Sequence, residues 1–196
     1  MKKNFTIILA MFLAISLSAQ TETLFNRTTV IGGFGGPITE FGQFNGEFIV
    51  SSGGGGGVIL DDFFIGGYGM GTMEVNDKNT TSQNLNLQMG HGGFWLGYTY
   101  KTDKLVHVFA STKLGWGNIE IDVTEGFDNY AKDNIFVITP EVGVEVNLFR
   151  WFKLAGTVGY RAVTGFNSID EYKNSDFSGV AGTLTLRFGG FGDWDF

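Results

Sequence analysis

Cysteine is absent from this 196-residue chain. That excludes a disulfide framework, a thiolate metal site and a lipidated N-terminal cysteine. Only 2 prolines occur, so the abundant glycine does not belong to a collagen-like repeat. Basic residues are scarce: 13 Lys and Arg stand against 20 Asp and Glu, a formal net charge of -7 with no Lys/Arg cluster. Nucleic acid is therefore not an expected partner. No apolar stripe of 3.6-residue period and helical length runs through the chain beyond its first twenty residues. What is present is glycine, at 31 residues, and aromatics, at 15%. That aromatic share argues against disorder. Glycine alternating with Phe, Tyr and Val points to closely approaching β-strands.

The first twenty residues differ from the rest. Lys2 and Lys3 precede an apolar run from Phe5 to Leu17, followed by Ser18-Ala19-Gln20. This is the pattern of a secretory signal peptide over residues 1–19, cut after Ala19, although Leu17 stands where a second small residue is preferred. The alternative is an anchor helix, but the run is shorter than the ~20 residues that span a bilayer. Residues 20–196 are expected to form one domain, and any further membrane insertion must use strands.

Eight stretches have strand character: Thr28–Gly42, Glu47–Leu60, Phe63–Val75, Leu85–Tyr100, Leu105–Ile119, Asn134–Leu148, Phe152–Val163 and Phe177–Phe188. Asp61-Asp62, Lys101 to Lys104 and Phe149-Arg150-Trp151 are tight turns. The connections 76–84, 120–133 and 164–176 are long, and only Asn45-Gly46, a two-residue hairpin signal, breaks the alternation. Short turns at one end and long loops at the other, with an even strand count, predict an all-β, eight-stranded, antiparallel up-and-down transmembrane β-barrel.

The faces support this. In the last four stretches the even positions are apolar, as in Phe136, Ile138, Val142, Val144, Val146 and Leu148, whereas the odd ones are small or charged. The odd-face charges are His107, Lys113, Glu141, Glu145, Lys153, Arg161 and Arg187. Pointing into one lumen, they are expected to pair as an ion network that fills and seals the barrel, with a plugged gate or narrow pore as the functional alternative. Glycines crowd the first four stretches and suggest one wall that gives room to bulky groups from the opposite side. The fourth changes phase, with Leu85, Leu87 and Met89 on one parity and Phe94, Leu96, Tyr98 and Tyr100 on the other, so a bulge near Gly90–Gly93 is expected. Pro37 and Pro140 each remove a ladder donor and require a bulge or a rim position.

Other chemistry finds little support. The two histidines, His91 and His107, have no nucleophile-elbow pattern near them, and Ser51, Ser52 and Ser111 lack an evident rim partner. Asp122, Glu125, Asp128, Asp170 and Glu171 make the external connections acidic but lack the spacing of a calcium loop. No metal or cofactor is expected. Tyr130, Tyr172 and Phe166 in the long connections, Trp116, and Phe63, Phe64, Tyr98, Tyr100, Phe149, Trp151 and Phe152 by the short turns predict two aromatic girdles.

Leader, eight strands, alternating connections and the terminal aromatic Phe196 together resemble the small OmpA/OmpX-type outer-membrane barrels of Gram-negative bacteria. The resemblance implies a fold, outer-membrane lipid as surroundings and barrel-assembly machinery as a partner in biogenesis. It implies no activity. The expected role is non-enzymatic, structural or through an extracellular partner at the acidic, aromatic loops. The alternatives are a small lipid-modifying enzyme, and a soluble secreted barrel with its apolar face inward around a ligand.

Overall fold

The computed structural model describes residues 30–44, 46–72, 75–77, 85–123, 130–167 and 173–192. The expected leader and Phe196 lie outside them. Among the described residues are nine strands: β1 Val30–Phe44, β2 Glu47–Leu60, β3 Phe63–Thr72, β4 Val75–Asp77, β5 Leu85–Tyr100, β6 Val106–Val123, β7 Tyr130–Phe149, β8 Phe152–Thr164 and β9 Gly179–Phe191. Their order is β3-β2-β1-β9-β8-β7-β6-β5, and β3 pairs with β5 to close the ring. All pairings are antiparallel. The short β4 pairs with β5 beyond the end of β3 and occupies the same place in the ring. The barrel is thus eight strands around.

Turn chemistry sets the two ends. Asp61, with φ 55°, turns β2 into β3 across the Leu60–Phe63 pair. Arg150 and Trp151 lie between the paired Phe149 and Phe152, next to a register shift at Asn147. That irregularity is used: Asn147 Nδ2 donates to the carbonyls of Thr102 and Lys104, tying two short turns together. At the other end the Phe44–Glu47 pair closes over Gly46, whose φ of 82° suits glycine.

Three expectations are corrected. β6 and β7 run further than expected, pairing as far as Asp122 with Tyr130, so these two residues are strand positions and not loop positions. The alternation of Ile119, Ile121 and Val123 carries the ladder on. Second, β5 has no bulge: its register with β6 is unbroken from Leu85 to Tyr100. Third, Pro37 and Pro140 sit mid-strand on the outer face without a bulge. The ladder skips a step on one side of each, between Gly35 and Ile38 against β9 and between Ile138 and Glu141 against β8, and register is kept. A missing N–H costs a local gap, not a new register.

Burial separates the faces. Outward-facing Val108, Val142, Val144, Val158 and Val180 are each about half exposed or more, whereas Lys113, Arg161 and Glu145 on the opposite parity are at most 1% exposed. The outward parity is apolar, and the charges of these strands face in. The alternative arrangement, with this apolar parity inward, is therefore not the one seen.

Candidate functional site

The lumen is filled in three layers, and the strands position each by parity. Nearest the short turns, Glu145 of β7 is the centre. Its Oε1 accepts from His107 Nε2 of β6 at 3.0 Å and lies 3.2 Å from Lys153 Nζ of β8, while Oε2 accepts from Arg187 Nη1 of β9 at 2.7 Å. His107 Nδ1 bonds the Lys104 carbonyl at 3.1 Å, which fixes the ring. The Arg187 guanidinium is caged by aromatic rings, with its carbon 4.1 Å from the centre of Phe109, 4.5 Å from Phe34, 4.9 Å from Phe64 and 5.0 Å from Trp95. Its Nε and Nη2 have no hydrogen-bond acceptor among the described residues. The ring faces supply the electrostatic partner that oxygen does not.

The middle layer centres on Glu141. It accepts from Ser111 Oγ, from Lys113 Nζ at 2.9 Å and from Thr157 Oγ1 at 3.0 Å. Trp95 Nε1 donates to Ser111 Oγ at 3.1 Å and so joins the cage to this layer. Lys113 Nζ also stands 3.9 Å from Glu40 Oε2, and Glu40 Oε1 accepts from Arg161 Nη1 at 3.0 Å. Arg161 donates further to the carbonyls of Gln43 and Phe177. Tyr68 and His91 form a separate pair, hydroxyl to Nδ1 at 3.0 Å.

The third layer, toward the long connections, is apolar: Phe44, Ile49, Met89, Ile119, Ile135, Val137, Val163, Phe166 and Phe177 are all buried together. The Phe166 and Phe177 rings, 4.9 Å apart, come from the segment between β8 and β9 and pack at a tilt with Phe44 toward this barrel end. That segment is pinned by Ser178 Oγ, which accepts from Val163 N and donates to the Asn174 carbonyl, and by Asn174 Oδ1, which accepts from Phe166 N.

All seven lumen charges named from the sequence lie inside, but in two clusters. His107, Glu145, Lys153 and Arg187 form one, and Lys113, Glu141 and Arg161 the other. Glu40 links the second and was missed, although Ile38, Glu40 and Gly42 share one parity of β1. The expected aromatic girdle loses two members, because Phe64 and Phe166 point inward. Of the loop residues, Asp122 and Tyr130 end the β6–β7 ladder, and Glu125, Asp128, Asp170, Glu171 and Tyr172 lie outside the described residues. The groups an enzyme needs are dispersed: His107 sits by Glu145, Ser111 by Glu141, and His91 by the Tyr68 hydroxyl. The glycines do less for the opposite wall than expected. Gly42 does make room for the Arg161 guanidinium, at 3.3 Å from its absent side chain, but Gly36, Gly53 and Gly66 back onto neighbouring backbone.

No protein-family model matches the sequence, and no curated protein matches it. In fold the chain is similar to Neisserial surface protein A, with a TM-score of 0.52 and 10% identity over 81% of this chain and 94% of that one. It is likewise similar to a major outer membrane protein from Thermus thermophilus, with a TM-score of 0.51 and 10% identity over 81% of this chain and 98% of that one. The likeness is one of fold: a closed, antiparallel, eight-stranded barrel.

Proposed function

We propose that the chain is an outer-membrane barrel protein with a sealed lumen, whose role is structural or is exerted through its acidic outer end and not through catalysis. The observation that carries this reading is the inversion of polarity, with apolar side chains around the outside and paired charges within. From Val106 to Trp116, both more than half exposed, β6 rises about 33 Å at ~3.3 Å per residue. Tilted by about 40°, that is roughly 25 Å, the height of an outer-membrane apolar band. Exposed Phe63, Tyr98, Tyr100, Phe149 and Trp151 ring the short-turn end, where an interfacial girdle belongs. The short turns then face the periplasm and the long connections the exterior. Two charged layers and a buried aromatic cluster among the described residues support a sealed lumen.

The test is cell fractionation of the expressed full chain, followed by electrophoresis with and without boiling. Outer-membrane enrichment and a heat-dependent mobility shift are expected. A detergent-free soluble protein without a shift overturns the reading.

A further inference from the structure

The outer wall is not uniformly filled. Beside the short-turn end lies a groove of about 660 Å³ between β3, β5 and β6. Its sides are Phe63 and Ile65 on β3 and Leu96 and Tyr98 on β5, and its floor is Ala110 and Thr112 on β6. The register explains it: Tyr98 is opposite Ala110 and Leu96 opposite Thr112, so large side chains stand beside small ones. Among the described residues, no charged side chain lines it. Water and a polar polypeptide are both poor occupants of such a surface, and an alkyl chain is a good one.

The rim at the head of the groove has a different chemistry. Leu60 lines the groove and runs directly into exposed Asp61 and Asp62. The Asp62 carbonyl accepts from Thr99 N at 2.8 Å, which brings this acidic turn against the end of β5. Exposed Lys101 follows two residues later, its ammonium 5.2 Å from the centre of the Tyr100 ring. Further along the same turn Asp103 and Lys104 pair with each other at 3.0 Å. One rim thus offers a cation and two carboxylates above an apolar channel.

We infer that this groove binds a single zwitterionic aminophospholipid of the periplasmic leaflet, with one acyl chain against Ala110 and Thr112, its phosphate toward Lys101 and its ammonium toward Asp61 and Asp62. The inference rests on the membrane reading above. An anionic lipid without an amine satisfies Lys101 but meets two carboxylates, so the rim selects against it.

Native mass spectrometry of the full chain in mild detergent tests this. The micelles are doped with dipalmitoyl phosphatidylethanolamine or, separately, with dipalmitoyl phosphatidylglycerol at equal concentration. One bound phosphatidylethanolamine is expected, with a preference of about fivefold over phosphatidylglycerol, the scale of two exposed charge contacts. Ala110→Phe fills the floor and should cut retention roughly tenfold. Asp62→Asn with Lys101→Gln should remove the preference while leaving retention. Val158→Phe, on the far wall, should change neither. The heat-dependent mobility shift checks that each variant is folded. Should Ala110→Phe misfold, Thr112→Leu replaces it. A folded groove variant that keeps the lipid, equal binding of both lipids, or no retained lipid on a folded barrel overturns the inference and leaves the membrane reading standing. A chain with no mobility shift overturns both.

Discussion

Replacing Glu145 by Gln removes one negative charge and almost no volume. Three donors converge on this carboxylate, His107, Lys153 and Arg187, at 3.0, 3.2 and 2.7 Å. In the Glu145→Gln protein the Lys153 and Arg187 charges remain buried without a counter-ion, because Glu141 is already held by Lys113, Ser111 and Thr157. Breaking a buried ion pair from one side costs about 3–5 kcal/mol. Lys153 lines the open short-turn mouth and can turn its ammonium toward water, so the lower end, about 3 kcal/mol, is expected. Arg187 has no such exit, since rings enclose it. Adding Arg187→Met removes the stranded cation and places a thioether among four aromatic rings, a favourable contact. The double variant should therefore recover about 2 kcal/mol relative to the single one. Urea titration of the refolded barrel in detergent, followed by tryptophan fluorescence and by mobility shift, measures both. A single variant within about 0.5 kcal/mol of the parent, or a double variant less stable than the single, refutes the reasoning.

Other perturbations test other layers. Gly115→Ala puts a methyl group into the Tyr68 hydroxyl and should cost about 1–3 kcal/mol by urea titration, whereas Gly69→Ala meets nothing within 4 Å and should be near neutral. Val142→Arg, on the outward face at mid-strand, should cost about 2–4 kcal/mol in lipid, but Thr164→Arg at the end of β8 only about 0–1; equal costs would show that the apolar face is not lipid-facing. In planar bilayers the parent should give no steady conductance, and a stable open channel would contradict a lumen closed by two ion layers and the Phe166–Phe177 lid.

The fold was legible because strand length, turn length and parity all act locally. Glu47–Leu60 and Leu85–Tyr100 match their strands residue for residue. Turn residues such as Asp61-Asp62 and Arg150-Trp151 mark sharp stops in the alternation. Where no such stop exists, as beyond Ile119, the strands run on to Val123 and from Tyr130, and the boundary was missed. Which charges share a lumen follows from parity. Which charge meets which does not, since Glu40 and Arg161 are brought together by ring closure across 121 positions of sequence.

The apparent phase change in β5 shows what parity leaves out. Met89 and His91 face inward on the same parity as Trp95 and Thr99, so the strand never changes face. What changes is the chemistry of the lumen with height. Near the short turns the interior holds Glu145 and Arg187, and at the far end it holds Ile119, Ile135, Val137 and Val163 under two phenylalanines. An odd-position methionine at the far end therefore looks lipid-facing when judged by polarity alone. The two ends differ because Phe166 and Phe177 fold back over the lumen, and a lid of aromatic rings demands an apolar layer beneath it. The charged layer below binds that lid in turn: Arg161, which holds Glu40, also donates to the Phe177 carbonyl at 3.0 Å. The aromatic pair and the ion pairs are thus one construction, joined at a single guanidinium. Neither is visible as such in the run of residues from Thr164 to Phe177, where the apolar positions look like part of an ordinary external loop.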